Sequence, residues 1–141
     1  MPLRNTDYVF DVDKFSSLEG KTGPYILYTA VRINSIFSKL DDKKDNYDIK
    51  GVYSEEELNI YLKIVELTKV IDAAFNEKTL SYICDYLFNI ANLYNKFYSE
   101  HNILNETDQD KKETYLALSK LTYSVIEKLL NVLAIDMIDK M

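Results

Sequence analysis

Apolar residues along this chain recur mainly at steps of three and four, the period of a helix with one buried face. From Pro24 onward, Tyr28, Val31, Ser35, Ile36 and Leu40 keep those steps and predict a first helix. Thr22 is placed to cap it, and Pro24 suits its first turn, where a missing N–H costs nothing. The polar run Asp41-Asp42-Lys43-Lys44-Asp45-Asn46 ends the pattern, and Gly51 marks a loop. Ser54 and Glu57 have the spacing of a capping box, in which each side chain serves the other's backbone N–H. Leu58, Tyr61, Leu62, Val65 and Leu67 then form the apolar side of a second helix. A short third helix over 69–76 turns Val70, Ala73 and Ala74 inward.

Thr79 is placed to cap a fourth helix reaching about Ser99, with Leu80, Ile83, Leu87, Ile90, Ala91, Tyr94 and Phe97 as its core stripe. A polar loop over 101–108 leads to a fifth helix over about 109–134. Leu116, Leu118, Leu121, Val125, Leu129, Val132 and Leu133 face inward on it, and the tail from Ile135 leaves it. Residues 1–20 read differently. Tyr8, Phe10 and Val12 alternate with Asp7, Val9, Asp11 and Asp13, a strand-like period, and Ser16, Ser17 and Gly20 follow as a loop. The pattern predicts an all-α antiparallel bundle of about five helices over 21–141, preceded by a short extended lead-in over 1–20.

Composition agrees. Three Gly and two Pro in 141 residues compare with about seventeen at average usage. A many-stranded sandwich or barrel would need more turn formers. No apolar run reaches the roughly 18–20 residues of a membrane span, and the N-terminus lacks a signal-peptide layout. A single cysteine, Cys84, excludes an internal disulfide and fits a reducing compartment, so a cytoplasmic location is expected. A net charge of −6 argues against DNA and against non-specific duplex binding, which depends on clustered Lys and Arg. It leaves room for local RNA recognition by stacking and base-edge contacts.

Candidate chemistry reduces quickly. Gly20-Lys21-Thr22 lacks the glycine that a phosphate-binding loop needs five residues earlier, where Phe15 stands. One His and one Cys cannot build a His/Cys zinc site, and the Asp41, Asp42, Asp45 and Asp48 cluster lacks the spacing of a calcium loop. His101 falls in a predicted surface loop, and Cys84 near an apolar helix side. No catalytic constellation and no cofactor site is predicted. The outstanding feature is aromatic: twelve Tyr against two Arg, Arg4 and Arg32. Tyr25, Tyr28 and Arg32 share one side of the first helix. Tyr82, Tyr86, Tyr94 and Tyr98 keep a four-residue spacing around Ile90, which drifts about 40° per step and spirals across faces. Such rings serve either as core and boundary residues with the phenol reaching water or as a stacking surface for unpaired bases.

The stretch Gly23-Pro24-Tyr25-Ile26-Leu27-Tyr28-Thr29-Ala30-Val31-Arg32 resembles the TGPYxxYxxxR segment that opens the C-terminal, DALR-type anticodon-binding domain of arginyl-tRNA synthetases. Thr6 to Asp11 and Phe15 to Gly20 resemble the family's stretch just before it. Leu80 to Leu87 and Phe97-Tyr98 resemble its LxxYLYxLA…FNxFY helix. Tyr115-Leu116-Ala117-Leu118 falls at its RLAL element, and Leu133-Ala134-Ile135 to Asp139-Lys140-Met141 resembles its LGI…ERM terminus. The departures are Tyr115 for the family's Arg, Ala134 for its Gly, and Asp139-Lys140 for its Glu-Arg. The missing glycine removes an easy left-handed helix cap.

The resemblance implies recognition of the tRNA-Arg anticodon loop, with Tyr25, Tyr28, Arg32, Tyr98 and Met141 at the positions that meet it. It further implies that 1–20 continue the preceding region of a synthetase and that the catalytic domain of the parent enzyme is a partner. ATP belongs to that catalytic domain, whose HIGH and KMSKS signatures do not occur here. By this reading the chain alone is not a ligase. The alternative is a diverged helical protein–protein interaction module without RNA binding, suggested by the acidic charge and the lead-in.

Overall fold

The computed structural model describes Val9 and residues 11–40 and 44–141. Those residues form six helices and no strand: α1 (Val12–Ser16), α2 (Gly23–Ser38), α3 (Glu55–Val65), α4 (Leu67–Asn76), α5 (Ser81–Glu100) and α6 (Gln109–Val132). Five match the five predicted helices closely. The sixth, α1, corrects the extended reading at its C-terminal end, since Val12 and Asp13 are helical. Their alternation covered too few residues to outweigh one turn of helix resting on α2. Tyr8 and Phe10 lie outside the described residues, as do Asp41, Asp42 and Lys43 of the polar run.

The ends of the helices follow local chemistry. Thr22 Oγ1 accepts from the Tyr25 N–H at 3.2 Å, and Pro24 stands in the first turn of α2. Ser54 Oγ accepts from the Glu57 N–H at 3.2 Å. The reciprocal half of the capping box is shifted, because the Glu57 carboxylate accepts from the Tyr53 N–H at 2.7 Å instead of that of Ser54. Asp108 caps α6 by accepting from Asp110 and Lys111 N–H. Thr79 sits one residue before the α5 cap position; its hydroxyl accepts from the Ser81 N–H at 3.4 Å.

Helix α5 is the axis of the bundle and touches α2, α3, α4 and α6. Its predicted stripe is buried from Ile83 to Phe97, whereas Leu80, one turn earlier, is exposed. Bonds between helices fix their directions. Tyr86 Oη donates to the Lys63 carbonyl at 3.0 Å and Lys96 pairs with Glu56 at 3.1 Å, so α3 runs antiparallel to α5. Tyr94 Oη donates to Ser119 Oγ at 2.8 Å and the His101 ring lies against Tyr115, so α6 also runs antiparallel to α5. Helix α2 runs parallel to α5, since Lys21, Tyr25 and Arg32 meet Asp85, Asn92 and Asn95 in that order.

Two predicted faces are rotated, and a third is wider than predicted. On α2 the buried residues are Ile26, Thr29, Ala30, Ile33 and Ile36. Tyr28, Val31 and Ser35 lie outside that stripe. The helix is apolar around much of its circumference, and the small Thr29 and Ala30 give the side on which α5 can approach. On α3, Ile60 and Glu57 are buried while Leu58, Leu62 and Val65 stand exposed. On α6, Leu116, Leu118, Val125 and Leu129 are buried as predicted, Leu121 and Val132 are exposed, and Tyr115, Ser119, Thr122, Ile126 and Leu130 are buried as well. Among the described residues no helix is long and apolar enough to cross a membrane.

Candidate nucleic-acid interface

The rotation of α2 turns Tyr28 and Arg32 onto the seam with α5. Arg32 lies between two rings, its guanidinium carbon 4.7 Å from the Tyr28 ring centre and 4.8 Å from that of Tyr98. Both distances suit cation–π attraction. Its Nη1 donates to Asn95 Oδ1 at 2.7 Å and its Nη2 donates to Tyr28 Oη at 2.9 Å. No carboxylate among the described residues comes within ion-pair distance of it. Of the 23 acidic residues in the chain, none among those described pairs with Arg32.

Behind the guanidinium the seam is a closed hydrogen-bond network. Asn95 Nδ2 donates to Tyr25 Oη at 3.0 Å and to Thr29 Oγ1 at 2.9 Å. Tyr25 Oη donates in turn to Asn92 Oδ1 at 2.7 Å, and Thr29 Oγ1 donates to the Tyr25 carbonyl at 3.0 Å. The Tyr25 ring tilts against Phe88 with centroids 5.8 Å apart. Tyr25 is therefore a support whose phenol is engaged inside the seam. Tyr28 is exposed and Tyr98 half-buried.

The structure brings together four of the five predicted site residues, Tyr25, Tyr28, Arg32 and Tyr98. Met141, past the end of α6, is exposed and takes no part in the bonds and ring contacts that join them. Neither Asn92 nor Asn95 was singled out in the sequence, although Asn95 falls at the Asn of the FNxFY stretch. Their signal was the i, i+3, i+6 spacing with Tyr98, which puts two amides and a ring on the α5 face toward α2. Beside Tyr98 opens a cleft of about 270 Å³, lined by Ser99, Asn102 and Leu104 among others. Leu104 also borders a hollow of about 700 Å³ that carries Lys39, Lys44 and Lys112.

Two other tyrosines of the spiral are core. Tyr86 and Tyr94 are buried, and burial pushes the Tyr86 phenol up to about 12 and that of Tyr94 further in the same direction. Tyr82 is exposed. His101 is no loose surface residue: its ring stacks on Phe97 and Tyr115 at 5.0 and 5.2 Å, and its Nε2 lies 3.8 Å from Glu56. Cys84 is half-buried, with its thiol pushed up by burial. Glu56, Glu100 and His101 offer donor atoms within 4.8 Å of one another. Lys96 already holds Glu56 at 3.1 Å and reaches Glu100 at 4.0 Å, so a lysine satisfies that cluster. The seam itself contains a guanidinium, phenols, amides and a hydroxyl, groups that bind and orient.

Comparison with known proteins bears on this surface. The family model of the DALR anticodon binding domain matches residues 26–141. The arginine–tRNA ligase of Alkaliphilus oremlandii is 41% identical over 137 residues, covering 96% of this chain and 23% of that protein. The arginine–tRNA ligase of Agathobacter rectalis is 36% identical over 140 residues, with 96% and 24% covered. The crystal structure of arginyl-tRNA synthetase from Plasmodium falciparum superposes with a TM-score of 0.83 at 24% identity, over 98% of this chain and 24% of that one; at that identity the likeness speaks to the fold. The chain spans about a quarter of the length of the relatives it matches. It belongs to the DALR anticodon binding domain family.

Proposed function

We propose that this DALR domain binds the anticodon stem-loop of tRNA-Arg as the anticodon-binding part of an arginine–tRNA ligase. The observation that carries the reading is the Arg32 guanidinium, unpaired with any described carboxylate and flanked by Tyr28 and Tyr98. Loop bases can be splayed out and stacked on phenol rings. Each stacked base contributes about 1–3 kcal/mol, enough for a useful affinity from two or three. Arg32 supplies a planar cation for the RNA backbone, which a lysine would match poorly. Tyr25 holds the seam from behind, and Met141 adds apolar contact at the loop. In this reading the ATP-dependent ligation belongs to the catalytic part of the parent enzyme, which the first twenty residues join to this domain.

Binding of the purified chain to a labelled tRNA-Arg anticodon stem-loop tests the reading, with a scrambled-loop hairpin as control. Preference for the cognate loop should disappear in Tyr28→Ala and Arg32→Ala. Equal affinity for both hairpins, or no loss in either variant, would refute it.

A second reading, a helical protein-interaction module, is favoured by one observation. Leu58, Leu62, Val65 and Phe75 stand exposed on α3 and α4, with Phe75 at 81% and Val65 at 76%. Exposed apolar patches mark contact surfaces. Light scattering would detect self-association through this face, and charged substitutions at Val65 and Phe75 should abolish it without touching RNA binding.

A further inference from the structure

Both ends of the Asn95 amide are engaged. Its oxygen accepts from Arg32, and both its N–H groups donate, one to Tyr25 Oη and one to Thr29 Oγ1. The orientation is fixed by its partners. The Tyr25 hydroxyl proton is committed to Asn92 and that of Thr29 to a backbone carbonyl. A flipped amide would set its N–H groups against the guanidinium and its oxygen against two hydroxyls with no proton to give. Asn95 therefore presents one acceptor, at one place, to Arg32.

That acceptor is neutral. A carboxylate would hold the guanidinium more strongly, but it would cancel the charge and could not donate to Tyr25 or Thr29. With Nη1 bonded to Asn95 and Nη2 to Tyr28, two of the five guanidinium N–H groups are spent. We propose that Asn95 is the positioning residue of this surface: it locks the Arg32 guanidinium between Tyr28 and Tyr98 while leaving its full charge and its three remaining N–H groups for a phosphate of the RNA. The inference rests on the RNA reading above for its ligand, and on the seam alone for the hold on Arg32.

Two measurements separate these parts. The first uses no RNA. Only Arg4 and Arg32 contribute arginine side-chain signals, so nitrogen NMR of the whole chain resolves the Arg32 guanidinium. Slow rotation and separate Nη signals are expected in the wild type, and averaged signals in Asn95→Ala. Unchanged Arg32 signals in that variant would overturn the hold.

The second is the salt dependence of binding to the cognate stem-loop. A phosphate contact to single-stranded RNA contributes about 0.7 to the slope of log K against log salt. Arg32→Ala should lower the slope by about that amount. Asn95→Asp should do the same, because its carboxylate neutralises Arg32, although it melts lower than wild type because it can no longer donate to Tyr25 and Thr29. Asn95→Ala should lose affinity several-fold with the slope intact. A merely structural role would lower affinity in step with melting temperature and leave the slope alone in all Asn95 variants, which would overturn the proposal. An Arg32→Ala variant that binds the hairpin as well as wild type would sink the RNA reading itself. One that binds more weakly at unchanged slope would spare that reading and overturn the phosphate assignment.

Discussion

The Glu57 carboxylate reaches back four residues and accepts the Tyr53 N–H at 2.7 Å, although Glu57 is fully buried in the first turn of α3. Its second oxygen has no hydrogen-bond partner among the described residues. The side chain thus ties the connection after α2 to the start of α3. Glu57→Ala removes the acceptor of a buried N–H and opens space in the core. A loss of about 2–3 kcal/mol is expected. Glu57→Gln keeps an acceptor and should cost less than half of that. Denaturant unfolding of the two variants checks the order; equal losses would assign the effect to the carboxylate charge, since Gln keeps the side-chain volume.

Helix α6 ends in a left-handed cap built on the wrong residue. The Ala134 N–H donates to the Asn131 carbonyl and the Ile135 N–H to that of Leu130, both at 3.0 Å, the paired bonds of a Schellman motif. Ala134 holds φ at +57°, a conformation that costs an L-residue about 1–2 kcal/mol and glycine little. Ala134→Gly should therefore stabilise the chain by about 1 kcal/mol, raising the melting temperature by about 2–4 °C for a chain of this size. A lowered melting temperature would mean that the methyl group contributes more than the backbone relief.

Alkaline pH should unfold the protein early. Burial pushes the phenols of Tyr61 and Tyr86 up to about 12, and Tyr94 in the same direction. Their ordinary value is 10.0. The folded state thus favours the neutral phenol. The stability linked to this is complete below pH 10 and is lost as the pH climbs from 10 through 12. Phenolate absorbance followed beside circular dichroism should show these groups ionising with unfolding. Replacing Tyr94 by Phe removes one such group, so its alkaline transition should be shallower. It also loses the 2.8 Å bond to Ser119, at about 1 kcal/mol near neutral pH.

Arg32→Lys tests the planar fork. A lysine keeps the charge but cannot bond Asn95 and Tyr28 at once with the same rigidity, and it sits less well between two rings. Binding to the cognate stem-loop should fall about tenfold, equivalent to about 1.4 kcal/mol, while the salt slope stays close to wild type. Affinity equal to wild type would reduce Arg32 to a point charge.

How much of this was legible in the sequence depends on the range of the interaction. Caps are local: Thr22, Ser54 and Asp108 each bond an N–H two or three residues ahead, and helix limits followed within a few residues. The α5 stripe was legible because it is buried against four helices and almost any apolar residue on it is core. Faces were misread on α2 and α3, and in part on α6, where apolar residues occur on more than one side and only the neighbour decides which side is covered. Leu58 and Ile60 differ little in hydrophobicity, yet one is 44% exposed and the other wholly buried.

Residue types and their spacing, which the sequence carries by itself, determined an all-helical chain, its element limits and a set of aromatic candidates that includes Tyr28, Arg32 and Tyr98. The tertiary structure alone decided that α2 lies parallel to α5, 60 residues and more away in the chain. That pairing aims Asn95 at Arg32 and sends Tyr25 inward instead of to the surface. Bonds within a turn are set by neighbours along the chain. Which amide meets which guanidinium is set by how two helices share a core, and no local period encodes it.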